Sequence, residues 1–441
     1  MEKISGRISS YHLEVEELNN HIGQTVDIHG TVYKIREMSG FAFVLLKTKR
    51  TLLQCVYSAE FSKFVLSELK ENMSIIISGN VIKDERSRTG IEVRLISYKC
   101  LSAPVEETPV VICNKEVLAS LDTLLDYRPI TLRNAKERAI FQIQAGICRG
   151  LRKFLDDNQF TEIRSPKIVS GSAEGGANIF KLDYFGREAF LAQSPQFYKQ
   201  IMVGVFERVY EIAPVFRAEK HDTSRHVNEY TSVDLEMGFI HSFYDIMEIE
   251  TLMLREAFEF VREHYQEELA LLNVSMPTIT EIPAVKFMEA KEMVSKAYNR
   301  EIIDMEDFEP EEEKLLSSII KKRTGCDFVF VTHYKSSKRP FYTMASKENP
   351  ELTESFDLIY RGMEITTGGQ RIHDYNQQVA KMQARGMNTE TFASYLMAHK
   401  YGLPPHGGLG LGLERLTARL LGFQNVRHTT LFPRDIIRLE P

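Results

Sequence analysis

The chain has 441 residues, 43% of them hydrophobic and 26% charged, with a mean hydropathy of −0.24. This composition excludes a disordered or fibrous protein and leaves room for two or three domains. No apolar run approaches the roughly 20 residues of a membrane helix, and the first residues carry no apolar signal core, so the chain reads as cytoplasmic. The net charge of −6 gives no whole-chain sign of nucleic acid, although residues 1–105 hold 14 Lys/Arg against 12 Asp/Glu and the remainder 41 against 49. Five scattered cysteines without a CxxC pair argue against structural zinc and against a disulfide framework.

Residues 25–33, 41–46, 52–57, 74–82 and 91–96 are rich in β-branched and apolar residues and separated by Gly and charged turns. With one short helix expected over 60–69, these five strands suggest a small Greek-key barrel of the OB type at 1–105, and any small β-domain is the plainer alternative. A stretch with two prolines, Pro104 and Pro109, opens a linker or hinge placed at 106–130. Ile140, Ile143, Ile147, Leu151 and Phe154 then recur at helical spacing, predicting an amphipathic helix over 134–157. From 131 to 441 strands and helices alternate in an α+β body, with the charged stretch 240–325 read as a peripheral helical insertion.

Four groups of residues in that body could carry chemistry. Residues 207–219 and 227–237 read as two strands joined by a loop carrying Lys220, Arg225 and His226, cations suited to a triphosphate or to a solvated turn. Asp357 and Glu364 are seven apart, and a turn at 360–362 would bring them face to face across a hairpin, where Mg²⁺ with nucleotide phosphates could sit between them. Glycines 408, 410 and 412 permit close backbone approach to a ligand just before a helix carrying Arg415, and no βαβ unit surrounds them, so a dinucleotide fold is excluded. Gln196 and Lys199 lie one helical turn apart near Glu174 and Ser194, a pocket suited to a zwitterion or an ordinary surface helix.

The order of these motifs resembles that of class II aminoacyl-tRNA synthetases of the aspartyl, asparaginyl and lysyl subclass. The helix before Pro166 matches the dimer-forming first signature, Phe216–Glu219 the second, and Gly408–Arg415 the third. Residues 173–176, 193–200, 216–221 and 404–408 are most similar to archaeal-type aspartyl-tRNA synthetases. The resemblance implies an OB-fold anticodon-binding barrel and an antiparallel-sheet catalytic domain with flanking helices. Arg217, Glu219 and Arg415 become the catalytic set, and the ATP site adds His226, Tyr230, Glu364 and Gly412. Aspartate would meet Glu174, Ser194, Gln196, Lys199, Thr367, Gly368, Arg371 and His406, with Lys199 and Arg371 clasping its side-chain carboxylate. Mg²⁺, bound with ATP, would take Asp357, Glu364 and Thr367, and Phe43 and Gln54 would stack on and read anticodon bases.

The partners implied are ATP, L-aspartate, tRNA(Asp) and a second copy of the chain, with tRNA(Asn) left open and discrimination expected near Tyr33 and residues 84–90. Threonines at 366 and 367 replace the serines usual in the family, and the second hydroxyl is preserved. An asparaginyl-tRNA synthetase and a catalytically inactive tRNA-binding paralogue are the alternatives. A neutral amide would leave Lys199 an unpaired buried cation, and the intact Arg217, Glu364 and Arg415 argue against lost catalysis.

Overall fold

The computed structural model describes residues 13, 15–49, 51–85, 87, 90–171, 178–220, 223–302 and 304–440. It divides into two compact units, Met1–Leu118 and Ala119–Pro441.

In the first unit, alternation of buried and outward residues closes a five-stranded barrel. Strands β1 (Thr25–Glu37), β2 (Ala42–Lys47), β3 (Leu52–Tyr57), β4 (Ser74–Lys83) and β5 (Ile91–Ser102) run in the order β1-β2-β3-β5-β4. The β3–β5 pair is parallel and the others antiparallel, the arrangement of a Greek-key barrel. Val32, Val44, Leu46, Leu53, Ile75, Ile77 and Val93 fill the interior and are wholly buried. The helix expected over 60–69 is reduced to a single 3-10 turn, Leu66–Glu68. Phe64 is seated between Tyr57 and Tyr98, with ring centroids 5.2 and 4.9 Å away, and Val65 is extended, so the chain is pinned before a helix can propagate.

The second unit is built on an eight-stranded sheet. Its members are β6 (Thr161–Glu162), β10 (Arg208–Phe216), β11 (Glu229–Gly238), β12 (Ala284–Lys286), β13 (Phe328–Thr332), β14 (Ser355–Tyr360), β15 (Met363–Gln370) and β16 (His406–Gly412). They lie in the order β12-β13-β14-β15-β16-β11-β10-β6, antiparallel through the centre with one parallel pairing at each edge. Strands β7 (Ile168–Val169), β8 (Lys181–Tyr184) and β9 (Arg187–Leu191) make a separate small sheet.

The periodic segment forms the helix Ala135–Asp157, capped by the Asn134 side chain, with Ile143, Ile147 and Leu151 fully buried. It packs on the helix Tyr244–His264 so closely that a Cβ at Gly150 would fall 2.7 Å from Ala257 Cα. Residues 240–325 are therefore not peripheral throughout. Met253, Leu254, Ala257 and Phe258 belong to the main core because the longest apolar face in the segment covers the sheet. The helices Phe287–Tyr298 and Pro310–Thr324 form a smaller cluster against β13.

The hinge expected over 106–130 also ends early. Residues 121–126 and 128–131 are helical, and the fully buried Arg128 donates to the carbonyls of Leu431, Thr430 and His428. Among the described residues no helix is long and apolar enough to cross a membrane.

Candidate active site

Strands β11, β14, β15 and β16, with the loop that follows β10, wall a cavity of about 480 Å³. Lining it are Arg217, Glu219, His226, Tyr230, Glu364, Gly412 and Arg415, together with Ser194, Gln196, Lys199, Thr367, Gly368 and Arg371. Asp357 and His406 do not line it, Glu174 lies outside the described residues, and Phe43 and Gln54 belong to the barrel unit.

The wall of the Lys199 end is built from β11, whose residues 230, 232, 234 and 236 share one face while Val233 and Leu235 enter the core. Lys199, 1% exposed, donates from Nζ to Asp234 Oδ1 and to the Leu409 carbonyl, each at 2.8 Å, and stands 3.5 Å from Glu236 Oε2. Arg371 meets the same Glu236 from Nε at 2.9 Å and Nη2 at 3.4 Å. Ser232 donates to Asp234 Oδ2. Burial pushes the Glu236 carboxyl up, but Arg371 and then Lys199 outweigh it and hold it below the usual carboxylate range. The expectation that Lys199 would be an unpaired cation beside a neutral ligand is corrected here: Asp234 already balances it. Neither acid was identified from sequence, although the i, i+2, i+4 run Ser232, Asp234, Glu236 marks a polar face on an otherwise apolar strand.

His406 supports this wall from behind and is fully buried. Its Nε2 faces Gln200 Nε2 at 3.0 Å and its Nδ1 faces the Pro404 carbonyl at 2.9 Å, so the network assigns a neutral ring protonated on Nδ1. Burial lowers its pKa to about 4. Gln196 joins the chain by donating to Gln200 Oε1. Direct aspartate contact by His406 is thus corrected to a place in the second row of the wall. Gly408 also has another purpose than ligand approach: a Cβ there would lie 2.2 Å from Glu236 Oε2 and from the Leu235 carbonyl. Gly410 and Gly412 do line the cavity.

At the other end, Asn228 donates to the carbonyls of Arg217 and Glu219 at 2.7 and 3.0 Å, closing the neck of the β10–β11 loop. The Arg217 guanidinium stands 5.8 Å over the Tyr230 ring. His226 Nε2 lies 3.7 Å from Glu219 Oε2, and its pKa is lowered by burial and by Arg415. Arg415 donates to the carbonyls of Glu364 and Arg225 at 3.1 and 3.4 Å. Three guanidinium groups (Arg217, Arg225 and Arg415) thus ring this end of the cavity beside the His226 ring, a field that draws polyanions.

The turn at Arg361 and Gly362 forms the expected β14–β15 hairpin, but a bulge between Leu358 and Ile359 shifts the register. The two-residue turn already sets Ile359 opposite Glu364, so Asp357 does not face Glu364; the bulge moves Asp357 opposite Thr367, whose hydroxyl donates to Glu364 at 3.0 Å. Arg339, which sequence reading missed, lies 3.9 Å over the Tyr334 ring and donates to Asp357 Oδ2 at 2.7 Å. Burial raises the Asp357 pKa to about 6 against the pull of Arg339. In Glu364 burial is overridden by Arg415 and Arg339, and its pKa is lowered. Asp357 Oδ1 is buried and meets no hydrogen-bond donor among the described residues, since Thr367 gives its single hydroxyl hydrogen to Glu364. That unsatisfied oxygen, a carboxylate and a hydroxyl suit a hard cation. No cluster of three or more His, Cys, Asp or Glu ligands occurs among the described residues.

On the barrel, Phe43 and Gln54 lie on the outer faces of β2 and β3, out of step with the buried Ala42, Val44, Leu53 and Cys55. Phe43 pairs with Val56 and Leu45 with Gln54, so the two are diagonal neighbours on one surface. Gln54 donates to Glu92, and Phe43 meets Phe41 edge to face at 5.2 Å. Tyr33 is buried and donates its hydroxyl to the Ile112 carbonyl.

Residues 120–436 match the family model described as tRNA synthetases class II (D, K and N), and residues 26–101 match that of an OB-fold nucleic acid binding domain. An aspartate–tRNA(Asp/Asn) ligase of Deinococcus radiodurans is 45% identical over 96% of this chain and 98% of its own length. An aspartate–tRNA(Asp) ligase of Pyrococcus furiosus is 39% identical over 97% of this chain and 98% of its own. The crystal structure of an asparaginyl-tRNA synthetase from Pyrococcus horikoshii with asparaginyl-adenylate superposes with a TM-score of 0.88 at 30% identity, covering 96% of this chain and 97% of that one.

Proposed function

Because the chain belongs to the class II tRNA synthetases of the D, K and N group, we propose that it is the ligase joining L-aspartate to tRNA(Asp). The observation that carries the choice of amino acid is the convergence of Lys199 and Arg371 on Glu236 in the cavity wall. All four oxygens of Asp234 and Glu236 are engaged within that wall, so what it offers a ligand is donors. A carboxylate accepts from such donors with both oxygens, whereas a side-chain amide accepts with one oxygen and turns an NH₂ donor toward the rest. The aspartate–tRNA ligases among the relatives support the same reading.

The reaction follows from the charges. The α-carboxylate of aspartate attacks the α-phosphorus of ATP, forming the mixed anhydride and releasing pyrophosphate. Arg217 holds the α-phosphate and Arg415 the far end of the triphosphate, and preorganised positive charge stabilises what develops there. Glu219 and Tyr230 receive the adenine, and Ser194 and Gln196 the aspartate backbone. The 3′-terminal ribose hydroxyl of tRNA then attacks the anhydride carbonyl, and AMP leaves. Asp357, Glu364 and Thr367 are the residues to hold Mg²⁺, which when bound with ATP neutralises phosphate charge. Phe43 and Gln54 receive the anticodon, by stacking and by an amide on a base edge.

The reading extends to a cytoplasmic homodimer and to tRNA(Asn) as a second acceptor, the latter because the Deinococcus relative is named for both tRNAs. Sedimentation of the chain and charging of each purified tRNA test these two extensions. ATP–pyrophosphate exchange with aspartate tests the core of the reading.

A further inference from the structure

The helix Pro310–Thr324 lies outside the cavity, yet one of its side chains reaches the elements that form the cationic end. Glu313 Oε2 accepts from the Arg225 guanidinium and, at 3.0 Å, from the backbone N–H of Glu364. These are the two residues whose carbonyls orient Arg415, through Nε to Arg225 and Nη1 to Glu364. Glu313, Arg225, Arg415 and Glu364 thereby close a ring in which one buried carboxylate oxygen ties the β10–β11 loop to β15.

The platform beneath the ring is tied down by buried polar contacts. Glu312, adjacent to Glu313, forms a buried ion pair with Lys291 at 2.6 Å and accepts the Glu309 N–H, closing a capping box. Ser317, one turn on, accepts from Gly362 N at 2.8 Å, so the helix grips the β14–β15 turn at a second point. From the far side, Arg427 donates to the Thr223 carbonyl and Val426 to that of Ser224, so Glu313 sets the position of a loop already held at its other edge.

We propose that Glu313 is a positioning residue for the nucleotide, setting the spacing between the loop residues Arg225 and His226 and the Glu364–Thr367 side of the cavity, and through both the orientation of Arg415. Glu313 does not line the cavity. Its influence is on where the triphosphate-binding groups stand, and small displacements of such groups cost large factors in rate or affinity. The inference rests on reading this end of the cavity as the ATP site.

The test is ATP–pyrophosphate exchange by the full chain, with KM measured separately for ATP and for aspartate. Glu313→Ala raises KM for ATP by roughly tenfold or more and leaves KM for aspartate within about twofold. Glu313→Gln, which still accepts both N–H groups, recovers most of that loss. Glu313→Asp retains the charge one methylene short of its partners and stands in if the alanine variant does not fold; it too raises KM for ATP selectively. Arg225→Ala combined with Glu313→Ala is no worse than the poorer single variant, because both break one ring. Unchanged KM for ATP, equal rises for both substrates, or additive losses in the double variant would overturn the proposal. A wild-type chain that exchanges with no amino acid would instead refute the nucleotide reading, and this inference with it.

Discussion

Arg371 donates from Nε to Glu236 at 2.9 Å, a contact between residues 135 positions apart, and Glu236 also stands 3.5 Å from Lys199. One buried carboxylate thus fixes both cations of the amino-acid wall. Replacing it by Gln removes the charge that aligns them while nearly preserving shape. Glu236→Gln is expected to raise KM for aspartate by on the order of tenfold to a hundredfold, with KM for ATP little changed. Exchange kinetics with each substrate varied in turn check this. Equal effects on both would mean that Glu236 supports the whole cavity and not one end of it.

The same carboxylate explains a glycine. A Cβ at 408 would meet Glu236 Oε2 and the Leu235 carbonyl at 2.2 Å, whereas one at 412 finds its nearest neighbour at 3.7 Å, on the flexible Arg415 side chain. Gly408→Ala is expected to lower unfolding free energy by about 1–3 kcal/mol or more through overpacking, and Gly412→Ala to change it far less. Urea denaturation of the two variants measures the contrast.

Glu250 is fully buried on the Tyr244–His264 helix, and its pKa is pushed up to about 8, chiefly by burial, with Asp357 adding to it and Thr366 opposing. The folded chain therefore keeps a proton that the unfolded chain loses above the ordinary Glu value near 4.5. The folded state binds more protons across that window, so this group's contribution to stability falls as pH rises from about 4.5 to about 8. His406 acts with the opposite sign between about 4 and 6.5, because there the unfolded chain is the one that binds the extra proton. Subtracting Glu250→Gln from the wild type isolates the first term. The variant is expected to gain relative stability with pH, by a few kcal/mol at pH 8. Unfolding at pH 5, 6.5 and 8 gives the difference, and a flat one contradicts the assignment.

Phe43 lies on the outer face of the barrel, away from its core. Phe43→Ala is expected to raise KM for tRNA by roughly tenfold to a hundredfold, the value of one stacked base, and to leave tRNA-independent pyrophosphate exchange unchanged. Aminoacylation and exchange measured on one preparation separate the two steps.

The barrel strands, the long amphipathic helix and the β10–β11 hairpin were legible in the sequence because each has a local signature: period two, period 3.6, or two apolar runs about a polar loop. Most cavity residues were legible for another reason, the order of the three family signatures. Asp234, Glu236, Arg339 and Glu313 were not. Each acquires its role from a partner on another strand or loop, as Asp357 gives Arg339 and Arg225 gives Glu313, and sequence spacing carries no trace of such pairs. The exact turn position was equally silent: a turn of Arg361 and Gly362 alone sets Glu364 opposite Ile359, and the bulge at Leu358 and Ile359 then brings Asp357 opposite Thr367, which donates to Glu364.

Activation of aspartate by ATP in this cavity makes pyrophosphate exchangeable into ATP. ATP–pyrophosphate exchange by the purified chain, run with L-aspartate and with L-asparagine at equal concentration, tests it most directly. Exchange that depends on aspartate and is lost in Arg371→Ala is the predicted result. Exchange with asparagine alone, or with neither amino acid, would contradict it.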